Sequence, residues 1–240
     1  MLMDIRLVLC GVMLFVSAYF DLKSREVEDR LWWIFGALGL ALTAAEALLG
    51  FNPNQLLMYL ASTAVSGAVA FTLYYLGFYG GADAKALLVC ALITPIFDRH
   101  LTIHPFTPLI ILVNSTILTA SLAIYYGLSN LIRILSGEKI FEGLEHEPIY
   151  RKALASIFGF RVKSKVGSFY FLMEKEECGK RRFNFNLLRV DEDFTSKEDV
   201  WVTPGIPLLA FMAAGFVVAV FFGDLLAYIL KALVMLTTLF

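Results

Sequence analysis

Charge and cysteine are both scarce in this chain. Asp, Glu, Lys and Arg make up 17% of its 240 residues, against about a quarter in an ordinary soluble domain. The formal net charge is −1, so there is no cationic excess for a nucleic-acid backbone, and nucleic acid is excluded as an expected partner. Only three cysteines occur, Cys10, Cys90 and Cys178, with no CxxC pair among them. A zinc ribbon or disulfide framework is therefore not expected. His100 and His104 have an i, i+4 spacing compatible with a metal, but Pro105 and the loop character of HLTIH argue against a site. No metal or other cofactor is expected.

What the chain has instead is apolar length. Hydrophobic residues are 59% of the sequence, and a membrane-spanning helix needs about 20 of them in a row. Segment one runs from about Ile5 to Phe20, segment two from Leu31 to Leu49, and segment three from about Gln55 to Leu76. Segment four, about Ala84 to Phe97, is short for a span. Segment five, about Phe106 to Leu135, is long, and segment six runs from about Gly205 to Leu239. Segment three carries Ser62, Ser66 and Ala70 at one-turn spacing, a small-residue face suited to close helix packing. Trp32 and Trp33 fit an interfacial belt. Glu46, Asp224 and Lys231 fall in the halves of their segments away from the basic loops. Pairing or interfacial exposure accounts for them, with Asp224 and Lys231 seven apart on one helix face.

With six spans, Lys and Arg separate by side. Of 20 basic residues only Arg6, Arg99 and Lys231 fall opposite the rest, which makes the basic side cytoplasmic and the N-terminus external. A single Arg6 precedes the first apolar run, while Lys23, Arg25 and Arg30 follow it. That is the reverse of signal-peptide polarity, so the first helix is expected to be retained. The expected fold is an all-α polytopic membrane protein with six transmembrane helices. Residues 1–136 form a membrane core of helices one to five, 137–204 a small α+β cytosolic domain, and 205–240 helix six. Within the inserted domain, EPIYRKALASIFGF reads as a short helix. Two runs around Cys178-Gly179 read as a β-hairpin. Residues from Asp191 to Asp199 read as an acidic linker.

Parity of the spans brings two carboxylates together. Segment one ends at Asp21 and segment three leads into FYGGADAKAL, residues 78–87, so Asp21 and Asp83 reach one membrane surface. Two carboxylates held close do not both ionise comfortably and share a proton, one acting as base for water and the other as acid toward a carbonyl. Gly80 and Gly81 are expected to give the backbone unusual freedom there. Lys85 either tunes the nearby carboxylate or anchors the helix end. The plainer reading makes Asp83 the N-cap of helix four. Both aspartates border flexible chain, so at rest the pair is expected to lie too far apart to share a proton, with substrate drawing helices one and four together.

GGADAK, preceded by FDLKSREV, resembles the GxGD family of membrane aspartyl peptidases. Within it, the match is to type IV prepilin-like leader peptidases, and nearest to the archaeal preflagellin peptidases. The resemblance implies that Asp21 and Asp83 are the catalytic pair, with Gly80, Gly81, Ala82 and Lys85 as supporting motif. It implies removal of a short basic leader from preflagellin or prepilin-like precursors at the cytoplasmic face of the plasma membrane, without a metal. Ala82 stands where many members have glycine. The cysteine-rich zinc segment of bacterial prepilin peptidases has no counterpart here, so an attached N-methyltransferase activity is not expected. The competing function is a small ion-coupled transporter or channel. That reading needs ionisable groups near the bilayer midplane, whereas Asp21 and Asp83 lie at its surface.

Overall fold

The computed structural model describes residues 2–50, 52–96, 101–164, 169–177, 179–185 and 198–237. The chain divides into two units: residues 1–118 with 207–240, and residues 119–206. The first unit is helical. It contains α1 (Leu2–Ser24), α2 (Asp29–Leu48), α3 (Pro53–Tyr75), α4 (Gly81–Ile93), the start of α5 (Thr107–Leu135), α7 (Leu208–Phe221) and α8 (Leu225–Thr237). Among the described residues, α1, α2, α3 and α5 are long and apolar enough to cross a membrane, and α7 with α8 makes a fifth if counted as one span.

Helix α4 is the centre of this unit, packed by α1, α2, α3 and α7. Ala86, Leu87, Cys90, Ala91 and Ile93 are fully buried, which explains why the segment is apolar on all sides and yet only 13 residues long. Close approach is enforced by small residues. A Cβ on Gly39 of α2 would sit 2.8 Å from the Leu92 backbone of α4. The Ser62, Ser66 and Ala70 face of α3 is buried, as its spacing predicts.

A helix ending inside a packed bundle must still satisfy its last carbonyls. Those of α4 and the chain just beyond it are met by side chains from its neighbours. Ser62 Oγ donates to Pro95 O at 2.6 Å, Thr63 Oγ1 to Ala91 O at 3.3 Å, and Arg6 Nη1 to Ile93 O at 2.6 Å. Arg6 is itself wholly buried. It donates to Glu46 at 2.9 and 3.1 Å and to Thr43 at 3.0 Å, and it lies over the Tyr59 ring at 5.4 Å. Glu46 is thus paired, with Arg6 as its partner.

Several expectations change. Segment six is two helices bent by 62°. Gly223 takes a left-handed φ of +89° at the break, and buried Asn114 of α5 spans it. The Asn114 amide donates to Gly223 O at 2.9 Å and its oxygen accepts from Leu225 N–H at 2.9 Å. Asp224 is buried just before α8 begins, whereas Lys231 is exposed on that helix. Asp224 caps α8, accepting from Leu226 N–H at 2.9 Å. Trp33 is exposed, but Trp32 is 5% exposed and belongs to the core, not to an interfacial belt. His104 Nδ1 accepts from Phe106 N–H at 3.2 Å; His100 lies outside the described residues.

The second unit holds the rest of α5, the short helix α6 (Ile149–Phe158), and strands β1 (Phe160–Val162), β2 (Tyr170–Leu172), β3 (Glu174–Glu177), β4 (Lys180–Phe183) and β5 (Val200–Pro204). An antiparallel sheet orders β1-β5-β2, and β3 pairs with β4 in the expected hairpin. Cys178 at its turn lies outside the described residues, as does most of the acidic linker. Trp201 is the core, stacked on Phe141 at 5.2 Å. Buried Arg161 clamps Asp199 at 2.8 and 2.9 Å.

The buried and exposed ion pairs should differ sharply in worth. Arg6→Met strands Glu46 and the Ile93 carbonyl, and should destabilise the purified protein by about 3–5 kcal/mol in thermal unfolding. Lys85→Met breaks only an exposed pair with Asp29 and should cost about 1 kcal/mol or less. Equal losses from the two variants would contradict this account of α4.

Candidate active site

Helices α1 and α4 run antiparallel, and their contacts set the register. Arg6 meets Ile93, and Cys10 Sγ lies 3.7 Å from Cys90 Sγ, both as free buried thiols. On α1 the residues Cys10, Leu14, Ser17 and Asp21 share one face at helical spacing, with the first three fully buried. On α4, Asp83, Leu87 and Cys90 do the same. Continuing the register places Asp21 and Asp83 at one end of the seam, opposite the Arg6 cluster. Helices rise 1.5 Å per residue, so Asp21 lies about 16 Å from Cys10 and Asp83 about 10 Å from Cys90, a stagger of about 6 Å in depth. The two carboxylates are within electrostatic reach of each other, and neither shows a hydrogen bond to the other.

Asp83 is held by its own helix. Gly80 is the N-cap residue and Asp83 occupies the third helical position. Its Oδ2 accepts the Gly80 N–H at 3.0 Å. Asp83 is therefore not the N-cap, and it satisfies one of the amides left open at the start of α4. The expected backbone freedom at the two glycines is not used: Gly80 has φ −71°, which any residue adopts. What Gly80 supplies is space, since a Cβ there would stand 3.2 Å from Asp83 Oδ2. Ala82 is helical and packs against the core, where its methyl is accommodated.

Asp21 is in the last turn of α1, its side chain 14% exposed. Arg25 Nη1 stands 3.6 Å from its Oδ1. The Leu209 backbone N–H, in the first turn of α7, also points at this carboxylate, where a helix N-terminus favours negative charge. Asp21 Oδ2 is buried without a hydrogen-bond partner. Lys85 binds Asp29 of α2 at 2.6 Å, an exposed ion pair at the start of α4.

Two neighbours were not singled out from the sequence. Tyr79, in the turn before α4, hydrogen-bonds Thr116 of α5, and burial pushes its hydroxyl above its ordinary range, so it stands as a neutral phenol near Asp83. Nothing in the local pattern signals this. Arg25 does carry a signal, its place four residues after Asp21.

The two acids thus stand at one end of a helix seam, Asp83 accepting from the N-cap amide of its own helix and Asp21 with one buried oxygen unpartnered. Comparison with known proteins bears on the chain as a whole. A model of the type IV leader peptidase family matches residues 8–124, which include both aspartates. A model described as archaeal Peptidase A24 C-terminus type II matches residues 151–225. The chain is 24% identical over 228 residues to a preflagellin peptidase of Methanococcus voltae, covering 88% of this chain and 92% of that one. It is 26% identical over 240 residues to a preflagellin peptidase of Methanocaldococcus jannaschii, covering 92% and 94%. Similarity of the same order, 23% over 224 residues, links it to a preflagellin peptidase of Methanococcus maripaludis. Two models of one peptidase family together cover most of the chain, and relatives match it nearly end to end: it is a multi-helix membrane protein belonging to the type IV leader peptidase family.

Proposed function

We propose that this peptidase is an aspartyl endopeptidase in which Asp21 and Asp83 act together, removing the basic leader from preflagellin or related prepilin-like precursors. The carrying observation is the register of α1 against α4, which leaves two electrostatically coupled carboxylates at one end of the seam. The relatives' names supply the substrate. If α4 and the α7–α8 pair are each counted as a span, the chain has six, and on that count the distribution of Lys and Arg supports the cytoplasmic face of the plasma membrane for this end. The lipid bilayer is then the second partner, and the precursor reaches the site from within or beside it.

Chemically, a water lodged between the carboxyls loses a proton to one of them as it attacks the scissile carbonyl, while the other donates to the carbonyl oxygen. The tetrahedral adduct collapses as the amine takes a proton. Asp83 is already oriented by Gly80, and Asp21 Oδ2 is buried without a partner. Closing the stagger between them is the step left to substrate. A transporter reading gains nothing from the other buried charges, because Arg6 and Glu46 are engaged with each other and Asp224 caps a helix.

Asn at either position keeps shape and hydrogen bonding but cannot exchange the proton. Asp21→Asn and Asp83→Asn should each abolish release of the leader from a tagged preflagellin, with thermal unfolding close to that of the parent. An Asn oxygen at 83 still accepts the Gly80 amide. Substantial cleavage by either purified variant would sink the assignment. Cleavage should also survive EDTA and thiol alkylation, since Cys10 and Cys90 are buried against each other. Loss in EDTA with recovery on adding zinc would point to a different chemistry.

A further inference from the structure

Arg25 sits where a glycine would be cheaper. It follows the end of α1 with φ +59°, the left-handed conformation that L-residues adopt only at a cost and that helix termini usually assign to glycine. Its amide closes the terminus by donating to Asp21 O at 3.1 Å, a bond any residue makes. The side chain does more. Instead of extending into solvent, as arginines at a membrane surface commonly do, it folds back until it is only 20% exposed. Its guanidinium then stands against the Asp21 carboxylate at 3.6 Å. Asp83, on another helix, feels the same positive charge. Strained backbone that persists at such a place suggests a function for the residue that adopts it.

We propose that Arg25 is a positioning residue for the aspartate pair. Its cation holds Asp21 against the end of α1 and offsets the repulsion that rises as the two carboxylates close on a water. A proton-sharing pair carries one net negative charge, and a fixed guanidinium beside it keeps that charge in place through the reaction. The inference rests on the aspartyl reading above.

Glycine separates this role from a structural one. Arg25→Gly relieves the left-handed φ and keeps the amide that closes α1, so the variant should unfold at or above the parent's temperature. Its kcat on tagged preflagellin should nonetheless fall roughly 10- to 100-fold, as expected when a reacting group loses its support, while KM stays near the parent's. Arg25→Lys, which returns a cation, should recover most of the rate. A glycine variant that cleaves at the parent's rate would overturn the inference and reduce Arg25 to a helix terminator. A lysine variant as slow as glycine would overturn it as well. Asp21→Asn and Asp83→Asn measured alongside distinguish the two levels: if they are inactive while Arg25→Gly is fully active, only the role of Arg25 fails. If an Asn variant still cleaves, the aspartyl reading and this inference fall together.

Discussion

The carbonyl end of α4 stops inside the bundle, and most of the site's geometry depends on how that end is satisfied. Arg6 binds it with one nitrogen and turns the rest of its guanidinium to Glu46 and Thr43. An ion pair this buried is weak as a source of stability in itself, because desolvation consumes most of the Coulomb gain. Its value lies in specificity: only one register of α1 on α4 satisfies the Ile93 carbonyl and Arg6 together. With the Arg6 cation and the Ser62 and Thr63 hydroxyls at its C-terminal end and Asp83 at its N-terminal end, α4 has favourable charge at both poles of its dipole. It is fixed in depth although it is short.

From that clamp the seam runs through Cys10 and Cys90 to the two aspartates. The stagger of about 6 Å follows from residue counts along the two helices. It is an offset in depth along the two axes, and across it the two carboxylates still interact. The opposite end of the seam is held by buried bonds, whereas the aspartate end borders the turn at Tyr79 and the segment after Ser24. Any closing motion on the proposed mechanism would therefore pivot about Arg6. The family membership makes the protein a peptidase; the seam gives a physical account of how two acids on separate helices would serve one.

Much of this was legible from residues alone. Apolar run lengths gave the helices, small residues at one-turn spacing gave the α3 face, and span parity brought Asp21 and Asp83 to one end. The misreadings share a cause. Segment six reads as one helix because only Gly223 and Asp224 interrupt its apolar pattern. The break is made by Asn114, 109 residues from Gly223, and no local pattern reports a partner that distant. Trp32 was assigned to an interface on composition, yet its burial depends on which face of α2 meets α4. The glycines before Asp83 were read for conformational freedom. Gly80 instead makes room for a carboxylate that folds back three residues to reach its amide. Arg25 was counted as one basic residue among many, since its left-handed backbone has no sequence signature when the residue is not glycine.

The central claim is that α1 and α4 present Asp21 and Asp83 to each other at one membrane face, and that substrate brings them together. It is tested most directly by oxidative cross-linking of an Asp21→Cys, Asp83→Cys protein in membranes, with Cys10, Cys90 and Cys178 replaced by alanine. Without catalytic carboxylates the precursor stays intact, so its effect on the distance can be read. The account predicts slow cross-linking alone and markedly faster cross-linking with preflagellin present. No cross-link in either state, with a membrane-impermeant thiol reagent reaching positions 21 and 83 from opposite sides, would contradict it.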